Sequence, residues 1–95
     1  MQADAASADL DQPLGVRALS KLRWRCRRGL LENDLFIARF FERHESRLTV
    51  RQAQAMETLM DLSDHDLLDL LLQRKEPEPA AAGADVVDLL RLMRV

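Results

Sequence analysis

Apolar residues recur along this chain at helical intervals, and no stretch alternates long enough to make a strand. Leu19, Leu22 and Cys26 fall at i, i+3 and i+7, on one face of a helix from about Val16 to Arg28. Gly29 stops that helix, most simply by taking the left-handed conformation that costs other residues more. A second helix opens near Glu32-Asn33-Asp34 and runs to about Ser46. Its stripe of Ile37, Phe40, Phe41, His44 and Leu48, with Phe36 one turn before Phe40, is the strongest amphipathic pattern in the chain. Thr49-Val50-Arg51-Gln52 has the S/T-x-x-E/Q form of a capping box, so a third helix starts at Thr49. It turns Ala53, Met56 and Leu59, with Met60 or Leu62, inward.

Ser63-Asp64-His65-Asp66 supplies the N-cap of a fourth helix, which carries Leu67, Leu68, Leu70, Leu71 and Leu72. Arg74 and Lys75 suit its C-terminal dipole. Glu76-Pro77-Glu78-Pro79 cannot continue it, because each Pro disfavours helical geometry in the residue before it. Residues 80–83 extend that connector, and Asp85 caps a last helix with Val86, Val87, Leu89, Leu90, Leu92 and Met93. The expected fold is all-α: a small five-helix bundle forming a single domain over residues 16–95. Its core is expected to contain Leu22, Cys26, Ile37, Phe40, Phe41, Leu59 and Leu71. Residues 1–15, with Asp4, Asp9 and Asp11 and no base, read as a disordered acidic tail that ends at Pro13 and Gly15.

The chain has 95 residues, enough for one helical core but not for a core plus a deep cofactor cavity. Its aromatic residues are Trp24, Phe36, Phe40 and Phe41, with no Tyr, so the core rests on Leu, Met, Ala and Val, which suit helices better than strands. A single cysteine rules out an internal disulfide and fits the reducing cytoplasm. The start of the chain has neither the positive and apolar regions of a secretory signal nor the arginines of a transit peptide. No apolar run is long enough to insert in a membrane, so a cytoplasmic location is expected.

The net charge of −2 hides strong segregation. Arg17, Lys21, Arg23, Arg25, Arg27 and Arg28 occur without an acid among them, and Glu32 and Asp34 follow directly behind Gly29. Bases before a helix end and acids after a helix start match the two dipoles, but a nearby cation contributes only ~0.3–1 kcal/mol there. Six bases exceed what capping needs, so the surplus is expected to face a partner. A basic helix with Trp24 in it could be a nucleic-acid-binding or regulatory module. Against nucleic acid stands the acidic balance of the domain, with a pI of about 5.6, so a protein partner of mixed charge fits better.

No C-x-x-C, H-x-x-x-H or calcium-loop spacing occurs, nor a phosphate loop or nucleophile elbow. His44 reads as a core or boundary residue, His65 as a solvated one, and Cys26 as a small buried apolar residue. No catalytic, cofactor-binding or metal-binding residue is expected, and the chain does not read as an enzyme.

Arg28-Gly29-Leu30-Leu31-Glu32 resembles the R-G-x-x-E motif of the SdhE-type succinate dehydrogenase assembly factors, also called flavinylation factors. The register extends on both sides. A basic helix with an aromatic precedes the motif, Asp34 and Phe40-Phe41 follow it, and Leu59 to Leu67 resemble the family's acid-rich turn ahead of a Leu-rich helix. The likeness covers roughly Leu19 to Lys75, with departures at His65, where Pro is frequent, and Leu70, where an aromatic is frequent. The resemblance implies a helical assembly factor that binds the flavoprotein subunit of succinate dehydrogenase, and in some bacteria fumarate reductase, and promotes covalent FAD attachment. FAD is then the cofactor of the client, and none is bound stably by this chain. Carried over, Arg28, Gly29 and Glu32 are the motif residues. With Arg23, Trp24, Arg27 and Asp34 they make up the expected partner-binding set.

Overall fold

Helix α1, Val16–Arg25, is held at its end by the Cys26 N–H donating to the Leu22 carbonyl at 3.0 Å. The computed structural model describes residues 10–27, 29–77 and 79–94. Helix α2, Leu31–His44, continues into a 3₁₀ turn at Glu45–Arg47. Helix α3 covers Val50–Met60, α4 covers Asp64–Leu71, and α5 covers Pro79–Met93 with a break at Gly83. The architecture is all-α, with five helices and no named strand among the described residues. Its Cα radius of gyration, 13.3 Å, is that of one globule of about this length.

Helix α2 packs on α4 and α5, α3 packs on α5, and α1 lies across α3. Every residue of the expected core is buried, from Leu22 on α1 to Leu71 on α4. Val86, Leu89, Leu90 and Met93 close the core from α5 at i, i+3, i+4 and i+7. Phe40 and Phe41 meet edge to face at 5.6 Å between centroids, and half-buried His44 lies against Phe40 at 5.1 Å.

The local signals act as their chemistry demands. Thr49 Oγ1 accepts the Gln52 N–H at 3.2 Å, and the Gln52 side chain accepts the Thr49 N–H at 3.0 Å. Ser63 Oγ accepts the Asp66 N–H at 3.2 Å. Thr49→Ala removes one of these bonds and is expected to cost about 1 kcal/mol, which a thermal melt of the purified variant measures.

The helix ends differ from expectation in four places. Helix α1 stops at Arg25 rather than near Arg28: Cys26 is its C-cap, and the Arg27 N–H reaches back only three residues, to the Trp24 carbonyl at 3.2 Å, tightening the last turn. The second helix gives way to the 3₁₀ turn after His44. The last helix is assigned from Pro79, with Gly83 at φ 74° interrupting it, where the sequence pattern suggests a connector up to Gly83. Leu72, expected on the Leu-rich helix, lies just past it and is exposed, because Gln73 takes a left-handed φ of 61° and ends α4.

Most of the expected tail, residues 1–9, lies outside the described residues. Its last part is tied to the body: the Leu14 N–H donates to the Leu48 carbonyl at 2.7 Å and the Val50 N–H to the Gln12 carbonyl at 3.1 Å. Arg51 adds a clasp, pairing with Asp11 at 3.3 Å and Asp85 at 3.4 Å. Arg94 joins the end of α5 to the end of α4 by donating from Nε to the Leu70 carbonyl at 2.8 Å.

Candidate partner-binding site

Helix α1 rests on α3 through Arg25, which pairs with Glu57 at 3.3 Å and Asp61 at 3.0 Å. The neighbouring face of α1 is thereby left toward solvent. Ser20, Arg23 and Trp24 fall on it at i, i+3 and i+4, and Arg27 follows one turn later. Opposite them α2 presents Asp34, Ile37, Ala38, Phe41 and Glu42, and the 3₁₀ turn after it adds Glu45, again at helical spacing. An open groove of about 950 Å³ runs between the two faces. Buried Cys26, Ile37 and Phe41 form its apolar floor, with exposed Ala38 beside them. One wall is basic and the other acidic.

Arg23 crosses the groove, with Nη1 2.8 Å from Glu45 Oε2 and its guanidinium 5.7 Å from the Phe41 centroid. Arg27 lies 5.2 Å from the Trp24 centroid, and Trp24 is 72% exposed. An exposed cation–π pair contributes only ~0.5–1 kcal/mol, so the indole is held in place without being covered. Large aromatic and Arg side chains left open in this way dominate protein interfaces. The excess of bases seen in the sequence is smaller than it looks, since Arg23 and Arg25 are engaged by acids of the same chain. Arg17 and Lys21 have no ion-pair partner among the described residues.

The motif residues adjoin one end of the groove. Gly29 has φ 90°, and its N–H donates to Asp34 Oδ2 at 3.2 Å. Leu30, the N-cap of α2, offers no side-chain acceptor, so Asp34 satisfies a donor just ahead of the helix. A Cβ built on Gly29 meets nothing within 4 Å; its backbone angle alone demands glycine. Glu32 is exposed in the first turn of α2 and makes no hydrogen bond or ion pair among the described residues. Arg28, the remaining motif member, lies outside the described residues. Arg23, Trp24, Arg27 and Asp34 are therefore brought together as groove lining, and Gly29 adjoins them through Asp34.

Sequence reasoning missed several residues here. Ala38, Glu42 and Glu45 line the groove, and their spacing from Asp34 (i+4, i+8 and i+11) was the available signal. Leu31 and Leu35, 67% and 56% exposed, form a one-turn apolar pair on α2 off the buried Phe stripe. Asn33, flanked by acids, is wholly buried, and its Nδ2 donates to the Asp64 carbonyl at 3.0 Å, joining α2 to the start of α4. Among the described residues no cluster of His, Cys, Asp and Glu could hold a metal ion, and no helix is long and apolar enough to cross a membrane.

Residues 20–94 match a family model described as flavinator of succinate dehydrogenase. The chain is similar to the FAD assembly factor SdhE of Ralstonia nicotianae, with 51% identity over 75 residues, or 79% of each chain. It is also similar to the proteins of that name from Coxiella burnetii and Legionella pneumophila. The first is 39% identical over 69 residues, 73% of this chain and 80% of the relative. The second is 40% identical over 62 residues, 65% of this chain and 78% of the relative. No solved structure matches the chain significantly.

Proposed function

The chain belongs to the family of succinate dehydrogenase flavinators, and we infer from that membership that it is an FAD assembly factor, not a catalytic enzyme. It promotes FAD attachment to the flavoprotein subunit of succinate dehydrogenase. The observation that carries this reading is the family match over residues 20–94, which takes in both walls of the groove and the R-G-x-x-E turn at its end. The factor works in the cytoplasm, a fumarate reductase flavoprotein is a second client, and FAD stays with the client throughout.

Covalent attachment needs the isoalloxazine ring of FAD held against a nucleophilic side chain of the client. A helper accelerates this by binding the client conformation in which the two are aligned, and needs to supply no chemical group. Glu32 offers a carboxylate with no ion-pair partner among the described residues to a basic group on the client, and Gly29 leaves the backbone open to close approach. Trp24 and Arg27 give the surface a large anchor, with Arg23 beside them and Arg28 as the third motif member. The mixed charge of the groove supports a protein partner over nucleic acid, which favours an unbroken basic surface.

The direct test is co-purification from native cytosol with tagged factor, in which the flavoprotein subunit should be recovered. Recovery of DNA or RNA with steep salt dependence in its place would overturn the reading. Arg27→Glu should slow association with the purified flavoprotein several-fold at low ionic strength, and the difference should shrink as salt is added. Stopped-flow or surface-plasmon measurements at two salt concentrations check this. Arg27 is the cleaner choice than Arg23, whose reversal would also leave Glu45 facing a like charge.

A further inference from the structure

The α1–α2 groove has a charge polarity that defines what it can hold. Arg23 and Glu45 neutralise each other across one part of it. The charges that remain along the walls are Arg27 on the α1 side and, on the α2 side, Glu42 and Asp34, the last of which accepts the Gly29 N–H; Arg27 and Glu42 have no ion-pair partner among the described residues. Between them lie Ala38, which is exposed, and the apolar floor of Ile37 and Phe41. Trp24 overhangs the basic side.

We propose that this groove seats one amphipathic segment of the flavoprotein client: an apolar side chain over Ala38 beside Trp24, a carboxylate toward Arg27, and a cationic group toward Glu42. The proposal rests on the flavoprotein reading above and adds Ala38 and Glu42 to the binding surface. Charge complementarity selects the occupant. A uniformly acidic ligand such as nucleic acid or an anionic bilayer pairs with Arg27 but is repelled by Glu42 and Asp34 on the facing wall. A segment with opposite charges on its two edges satisfies both walls at once and can enter in only one direction. That directionality fixes the orientation of the client relative to the Gly29–Glu32 turn, which adjoins the groove through Asp34.

The experiment titrates the purified flavoprotein subunit with full-length factor by calorimetry, comparing wild type with Ala38→Trp, Glu42→Lys and Glu42→Gln. Ala38 and Glu42 are exposed on a helix, so these changes leave the core intact, and circular dichroism checks each variant. Ala38→Trp fills the groove and should weaken binding by about tenfold or more. Glu42→Lys should weaken it by about tenfold and Glu42→Gln by less, with the Glu42→Lys deficit shrinking at high salt. Binding within twofold of wild type by both Ala38→Trp and Glu42→Lys would overturn the groove assignment while leaving the flavoprotein reading intact. If wild type itself failed to bind the flavoprotein, the reading and the groove assignment would fall together. Should Ala38→Trp prove unfolded, the Glu42 pair decides alone.

Discussion

Replacing Phe40 by Ala is expected to destabilise the fold by about 3–5 kcal/mol, the range for emptying a fully buried Phe site. Phe40 is 1% exposed at the middle of α2, the helix that packs on both α4 and α5, and it touches Phe41 and His44 along its own helix. The site is closed to solvent, so the cavity left there is filled only by moving the packed core around it. A domain of this size has a total stability of roughly 5–14 kcal/mol, so the variant loses a large share of it. With about 4–8 °C of Tm per kcal/mol in domains of 60–100 residues, the melt should shift by more than about 10 °C. Phe36→Ala is the internal comparison. Phe36 lies one turn earlier, is only half-buried and is flanked by Arg39 at 5.9 Å, so its loss should be felt far less. Equal shifts for the two variants would mean that α2 is not the centre of the core.

The parts of the fold visible in the sequence are those decided by neighbours along the chain. Thr49 with Gln52 and Ser63 with Asp66 cap helices through atoms three residues apart, so their residue types suffice to locate two helix starts. The stripe of Ile37, Phe40 and Phe41 needs only the helical period. Asn33 shows how a local habit of reading can mislead. It stands between acids at a helix start, yet it is four residues before Ile37 and seven before Phe40, and so lies on the same buried face. The period held the answer, and the polar side chain masked it.

The early end of α1 was not visible, because no Gly, Pro or other stop signal stands at Cys26 or Arg27. Cys26 is the C-cap and the Arg27 N–H bonds back to the Trp24 carbonyl, while the residue types around them remain compatible with helix. The pairings of Arg23 with Glu45 and Arg25 with Asp61 span 22 and 36 residues and have no local signature. They convert what looked like an all-basic surface into one wall of a mixed-charge groove. Of the expected site, the turn around Gly29 was readable from residue type, and φ 90° there agrees with it. The groove itself exists only because α1 leans on α3 and leaves its other face open toward α2.

Glu32→Ala is expected to abolish most FAD attachment to the client while leaving the factor folded. Within the chain Glu32 contributes its place at the start of α2, worth ~0.3–1 kcal/mol, because it makes no hydrogen bond or ion pair among the described residues. The corresponding loss of Tm is at most about 8 °C. Gly29→Ala is the companion variant. Its Cβ meets nothing in the chain, so the strain of a positive φ costs about 1 kcal/mol or somewhat more, and the protein should still fold. If these two residues only shaped the turn, each variant would support FAD attachment in proportion to its folded fraction, which stays near one. If they meet the client, covalent FAD should fall by about tenfold or more in cells whose factor is otherwise normal in amount. In-gel flavin fluorescence of the client, beside melts of the purified variants, separates the two cases. Glu32→Gln then divides the effect further, because it keeps the acceptor oxygen and removes the charge. Recovery by Gln would point to a hydrogen bond, and failure to a salt bridge with a basic group on the flavoprotein. Normal attachment by a well-folded Glu32→Ala protein would remove Glu32 from the binding surface.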